Sequence, residues 1–277
     1  MSSKRAIALS IAGSDSSGGA GIQADLKTFS MFGVYGATAI TALTAQNTMA
    51  VKGVLATPPD FVTAQIDAVC CELQVGSVKT GMLASADIIE AVAAGIDRHD
   101  LVRFILDPVM IATSGAPLID TGAIAALRER LIPLAELVTP NIPEAARLLD
   151  LAPARSTSEM ESQARLIQSR FGARAVLVKG GHGEGATSVD VLVAGHDAPA
   201  VMLGLPRIAT TSSHGTGCTL SAAIAALRVL DVPLEPAVRR AKLFVWNGLT
   251  AGAAVGSARG HGGVDHLYAL KGHEPPS

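Results

Sequence analysis

The chain has 277 residues, 49% hydrophobic, 17% charged and only 3% aromatic, with a formal net charge of −2. That apolar content can bury a large core and excludes a disordered chain. The small, scattered charge excludes a nucleic-acid or anionic-membrane binder, and no apolar run approaches the ~20 residues of a membrane span.

The N-terminal Lys4-Arg5 ahead of Ala6–Ala12 has the outline of a signal peptide, but the run is short and contains Ser10, so it reads as a buried strand. It enters Gly13-Ser14-Asp15-Ser16-Ser17-Gly18-Gly19-Ala20-Gly21, and a helix over about 22–32 follows, ended by Gly33. Next come a strand at 38–44, a helix from Pro58-Pro59-Asp60 to about Leu73, and a short strand at 77–79 ending at Gly81. A helix at 86–96, a strand at 103–106 ending in Asp107-Pro108, and a helix at 121–131 continue the alternation. A strand at 137–139, helices near 143–149 and 158–171, and a strand at 175–178 ending in Lys179-Gly180-Gly181 complete it. Segments 189–193 and 200–203 read as antiparallel edge strands, and helices start near Thr216 and Leu234.

Repeated strand–helix units imply a three-layer α/β fold, a mostly parallel sheet with helices on both faces, in one domain over 1–277 with a core at about 5–270. Such sheets bind ligands at the carboxyl ends of their strands. Asp15, Gln46, Lys79, Met82, Asp107, Asn141, Lys179 and Cys218 all follow strands or start helices.

The three cysteines, Cys70, Cys71 and Cys218, are odd in number with two adjacent, a poor disulfide framework that fits a reducing, cytoplasmic setting. His182, His214, His261 and His266 stand apart from any Cys-x-x-Cys pair, so no zinc site is expected.

Thr210–Thr219 reads Thr-Thr-Ser-Ser-His-Gly-Thr-Gly-Cys-Thr, and Leu220, Ala223, Ile224, Leu227 and Leu230 then recur at helical spacing. Gly215 and Gly217 therefore lie at a helix N-terminus, where free amides and the macrodipole suit a transferring phosphoryl group. The pattern is not a P-loop. A thiol in a first helical turn is expected to have its pKa lowered from about 8.5 toward neutrality, which would let Cys218 take a hydroxyl proton. From position alone, a small packed cysteine reads equally well.

Taken together the segments become specific. They are Ala12-Gly13-Ser14-Asp15-x-Ser17-Gly18-Gly19-Ala20-Gly21-Ile22-Gln23-Ala24-Asp25-Leu26-Lys27, Ile40 to Thr48 with Ala45-Gln46-Asn47-Thr48, Val78-Lys79-x-Gly81-Met82-Leu83, Asp107-Pro108-Val109-Met110, Thr139-Pro140-Asn141-x-x-Glu144-Ala145, Val178-Lys179-Gly180-Gly181-His182 and His214-Gly215-Thr216-Gly217-Cys218-Thr219. In this order, over nearly the whole chain, they resemble the hydroxymethylpyrimidine/phosphomethylpyrimidine kinases of the ribokinase-like superfamily. The resemblance implies a ribokinase-like sheet without a separate lid domain, MgATP as donor, two successive phosphorylations in thiamine biosynthesis, and a homodimer.

It also implies roles. Cys218 stands at the base position, with Gly215 and Gly217 in the anion turn. Gln46 would pair with an aminopyrimidine edge, accepting from the amine and donating to the ring nitrogen. Gly13, Met82 and Val109 would wall the ring, and Asp25 would hold the substrate or pair with Lys27 or another cation. Lys179, Thr216, Lys242 and Asn141 would meet the nucleotide, Lys242 alternatively lying on a solvated helix face. Glu144 and Asp107 would hold Mg²⁺ through water; Asn141 and Glu144 alternatively form a helix cap. Ser16, Thr80, Thr113 and Gly263 depart from the family pattern, Thr80 and Thr113 in strand-end loops near the substrate. Alternatives are a pyridoxine or pyridoxal kinase of the same superfamily, a non-catalytic pyrimidine-binding protein, and a cysteine hydrolase, for which no oriented histidine is evident.

Overall fold

The computed structural model describes residues 5–111, 121–181, 183, 185–210, 213–251 and 262–270. Lys4, Thr113, His182, Thr211, Ser212, Gly260 and His261 lie outside the described residues. The described strands are β1 (Ile7–Asp15), β2 (Tyr35–Gln46), β3 (Val51–Ala56), β4 (Ser77–Thr80), β5 (Phe104–Leu106), β6 (Leu137–Val138), β7 (Ala175–Val178), β8 (Thr187–Ala194) and β9 (Val201–Pro206). They form one sheet in the order β3-β2-β1-β4-β5-β6-β7-β8-β9. The six strands from β2 to β7 in that order run parallel, and β3, β8 and β9 pair antiparallel at the two edges.

The helices are α1 (Gly21–Met31), α2 (Pro59–Glu72), α3 (Ala86–Arg98), α4 (Thr121–Ala126), α5 (Ile142–Leu149), α6 (Thr157–Phe171), α7 (Thr216–Val229) and α8 (Leu234–Ala251). Local chemistry sets several boundaries. Ser85 and Ser156 accept from the Ile88 and Glu159 amides and so cap α3 and α6. The helix expected to reach Leu131 loosens into a π-helical turn at Leu127–Leu131 and a 3₁₀ turn at Ile132–Leu134, where Pro133 has no N–H to continue the ladder.

Period-two alternation along the strands splits the core. Leu9, Ile11, Val78, Leu106, Val138 and Val176 pack with α2 to α6 on one face. Ala8, Ile105, Leu137 and Leu177 pack with α1, α7 and α8 on the other. Ala222, Ala223, Ala225 and Ala226 are fully buried in α7, so the low aromatic content is met by close helix–sheet approach.

One element was not read from the sequence. β3 forms an antiparallel hairpin with β2 around Asn47, whose side-chain oxygen accepts the Met49 and Ala50 amides. Its residues are mostly exposed and lack apolar alternation, which hid it.

Candidate active site

A cleft of about 690 Å³ opens at the carboxyl ends of the parallel strands. Its wall follows sheet order. Gln46 ends β2, Gly13 lies near the end of β1, Met82 follows β4 and Val109 follows β5; Asn141, Lys179, Asp190 and Arg207 then continue along β6 to β9. All the sequence-derived site residues line it except Asp25, and of the strand-end residues only Lys79 does not.

The first turn of α7 enters this cleft. Gly215 caps the helix at φ 82°, left-handed backbone that favours glycine, and a Cβ there would fall 1.8 Å from the Gly19 carbonyl. The two glycine-rich loops are therefore pressed backbone to backbone. The Gly217 and Cys218 amides, in the first turn, have no carbonyl within the helix to bond. Asp15 clamps the contact: its carboxylate accepts from Ser17 N–H (2.9 Å), Ala20 N–H (2.8 Å) and the Ser17 hydroxyl, and lies 2.7 Å from His214 Nε2. Burial works to raise this carboxyl, but the bonds from His214 and Ser17 prevail and bring it to about 2.

Behind the turn lies a charged centre. Lys179 Nζ is 2.8 Å from Asp107 Oδ1 and 3.9 Å from Glu144 Oε2. Asp107 also accepts from the Thr139 and Ser221 hydroxyls. Burial alone would lower the Lys179 pKa; Asp107 and Glu144 raise it instead, so the ammonium stays charged. Burial pushes the Glu144 carboxyl up to about 7 against the pull of Lys179. Asn141 and Glu144 form the capping box of α5, with reciprocal bonds of 2.7 and 2.8 Å, while both face the cleft. The cap thus sets both side chains on the cleft wall.

The structure corrects three readings. Asp25 does not face the cleft, and its partner is a cation other than Lys27: it is fully buried, accepts from Ser10 Oγ at 2.6 Å, and pairs with Lys79 Nζ at 2.8 and 2.9 Å. Lys27 instead donates to the Gly18 carbonyl. The polar positions Ser10 and Lys79 share the strand face that α1 covers, and α1 delivers Asp25 to them. Removing either partner alone would strand a buried charge at about 3–5 kcal/mol. Lys242 is not solvated: it is ion-paired with Asp190 at 2.7 Å, both side chains largely buried. Asp190 also accepts the Gly180 amide, which fixes the Lys179-Gly180-Gly181 loop.

The third correction concerns Cys218. Burial pushes its thiol up to about 11; the Lys79 ammonium favours the thiolate, while Asp25 and Asp107 oppose it. Burial outweighs the Lys79 ammonium, so the resting group is a thiol, opposite to the expectation from position.

Gln46 Oε1 accepts from Thr44 Oγ1 at 3.2 Å, and its backbone is held by Ser16 on both sides. Gly13 leaves room for Met82, whose sulfur would lie 3.2 Å from a Cβ there. Thr80 is buried and absent from the cleft wall, so its departure from the family pattern does not touch a ligand directly.

Sequence reading also missed residues. Asp190 is a lone charge in the apolar run Val189–Val193, a signal that was present. Arg207 donates to the Gly181 and Gly185 carbonyls and Trp246 Nε1 to the Pro206 carbonyl; both line the cleft. Among the described residues no three acidic, histidine or cysteine side chains gather as a metal cage. Two carboxylates flanking a lysine suit a hard cation that keeps its water and meets the protein through it.

Residues 15–265 match the family model described as phosphomethylpyrimidine kinase. The chain is 48% identical over 266 residues to a hydroxymethylpyrimidine/phosphomethylpyrimidine kinase of Salmonella typhimurium, covering 96% of this chain and 99% of that protein. It is 48% identical over 267 residues to a thiamine biosynthesis bifunctional protein of Geobacter sulfurreducens, covering 96% of this chain and 53% of that protein. Its fold is similar to that of an ADP complex of Bacillus subtilis pyridoxal kinase, with a TM-score of 0.86 and 35% identity, covering 97% and 100% of the two chains.

Proposed function

The chain belongs to the phosphomethylpyrimidine kinase family, and on that footing we propose that it moves the γ-phosphoryl group of ATP to the hydroxymethyl group of 4-amino-5-hydroxymethyl-2-methylpyrimidine, and then phosphorylates the monophosphate, in thiamine biosynthesis. The observation that carries this reading is the amide turn of Gly217 and Cys218, set midway along a cleft with Gln46, Met82 and Val109 at one end and Arg207 and Trp246 at the other.

The ring fits the first end. Gln46 carries an acceptor and two donors for an aminopyrimidine edge, and Gly13, Met82 and Val109 give it apolar and backbone walls. The nucleotide fits the second, between the β9 end and α8. The amides of Gly217 and Cys218 and the Lys179 ammonium then face the transferring group, whose catalysis is chiefly positioning and charge stabilisation. Lys242 and Asn141 serve the nucleotide through the elements they fix: Lys242 through Asp190, Asn141 through the α5 cap. Mg²⁺ would be held through water by Glu144 and Asp107, and when bound supplies neutralisation of phosphate charge. Cys218 acts on the hydroxyl proton in its thiolate form, a minor form in the resting protein.

All nine described strands share one sheet, which supports one ribokinase-like domain over 1–277 without a separate lid. The exposed, cross-strand pair Leu43 and Leu55 supports a homodimer through the β2–β3 hairpin. Among the described residues no helix is long and apolar enough to cross a membrane, and the three free thiols support a cytoplasmic setting.

A pyridoxal-type ring, which also bears a hydroxymethyl group, is the second reading, favoured by the likeness to the pyridoxal kinase fold. Steady-state kinetics on both rings decide between them: kcat/KM should favour the pyrimidine, and Gln46→Leu should lose that preference. A preference for pyridoxal would overturn the first reading.

A further inference from the structure

His266 is buried in the segment Gly262–Leu270 and is absent from the cleft wall. Its Nε2 lies 2.9 Å from Thr219 Oγ1, in the first turns of α7. The Thr219 hydroxyl lies 2.8 Å from the Gly215 carbonyl, which also accepts the Thr219 N–H at 2.9 Å. A hydroxyl has one proton to give. With that proton on Gly215, the Thr219 oxygen is left to accept, so His266 must present Nε2–H. The opposite tautomer would leave two oxygens 2.8 Å apart with no proton between them. Burial first, then Lys27, lowers the His266 pKa to about 4, so the ring is neutral.

The chain of bonds ends on Gly215, the N-cap residue whose conformation aims the Gly217 and Cys218 amides. The same segment holds the turn elsewhere. Gly263 forms a β-bridge with His214, Asp265 N–H bonds the Gly248 carbonyl at 3.0 Å, and Val264 packs on Gly248. Residues 263–266 thus brace the turn against α8 from behind, without reaching the ligand.

We propose that His266 is a positioning residue for phosphoryl transfer: through the Thr219 hydroxyl it fixes the Gly215 carbonyl, and with it the aim of the Gly217 and Cys218 amides. The proposal rests on the kinase reading above. Nothing in it requires His266 to exchange a proton.

Two measurements test it. In the wild-type protein, ¹⁵N shifts of the His266 ring report the tautomer without any turnover. The expected form carries the proton on Nε2; a proton on Nδ1 would overturn the proposal. Kinetics then compare His266→Gln, which keeps an N–H near the Nε2 position, with His266→Leu, which has none. The leucine variant should lose about tenfold to a hundredfold in kcat, with KM for ATP and pyrimidine within about threefold, and glutamine should recover most of the loss. Equal kcat in the two variants would overturn the proposal. If the leucine variant does not fold, Thr219→Ser against Thr219→Val carries the same comparison: serine should stay near wild type and valine should fall, and equal turnover would count against the relay. A wild-type protein that phosphorylates no hydroxymethyl ring would sink the kinase reading itself, while the tautomer would still be decided by the ¹⁵N shifts.

Discussion

His214 Nε2 lies 2.7 Å from the Asp15 carboxylate, and this buried pair joins the loop after β1 to the turn before α7. Residues 199 positions apart thereby join two glycine-rich segments into one wall of the cleft. The pair has a pH signature. Burial raises the Asp15 pKa, but His214 and Ser17 bring it down from 3.8 to about 2. A carboxyl depressed by folding contributes stability that is fully present above its unfolded pKa and is lost as pH falls through the folded one. That contribution should be nearly intact above about pH 4, lost as pH falls through about 2, and on the order of 2 kcal/mol. Urea titrations of wild type and Asp15→Asn should differ by about that much at pH 7 and by less at about pH 3. A gap independent of pH would contradict the assignment.

Thr80 is fully buried, and its hydroxyl has no hydrogen-bond partner among the described residues. An orphaned buried hydroxyl carries a desolvation penalty of about 1–3 kcal/mol. Thr80→Val keeps the shape and removes the group, so it should raise stability by about 1 kcal/mol in denaturant titrations. The ring preference should be unchanged, since Thr80 does not line the cleft. A destabilised variant would mean that the hydroxyl does have a partner in solution.

With its thiol pushed up to about 11, Cys218 is ionised in only about one molecule in ten thousand at pH 7. If the thiolate takes the substrate proton, turnover should rise with pH across the alkaline range, because each unit multiplies the thiolate about tenfold. Cys218→Ala should remove that rise and lower kcat at neutral pH. Identical pH–rate profiles in the two proteins would rule out the thiolate as base and leave the amides and Lys179 as the chemistry of the site.

Much of the fold was legible because several parallel strands are apolar runs soon followed by a glycine or proline, as at Phe104–Pro108, Leu137–Pro140 and Ala175–Gly180. The β3 hairpin was not, since an exposed edge strand needs no apolar alternation. In the site, the cleft-lining residues were legible from their place at strand ends. What escaped was pairing across the fold. Asp25 meets Lys79, 54 residues away, where local spacing could name only Lys27 and left any other cation unidentified, and Lys242 meets Asp190 through α8. The direction of the Cys218 pKa escaped for a related reason: helix position was visible in the sequence, whereas the burial that outweighs it was not.

If one cleft serves two successive transfers to a hydroxymethylpyrimidine, a ³¹P NMR time course of the protein with MgATP and hydroxymethylpyrimidine will follow both. The expected result is a monophosphate ester that grows and then gives way to a diphosphate as ADP accumulates. ATP left unconsumed, or consumed only when pyridoxal replaces the pyrimidine, would contradict it.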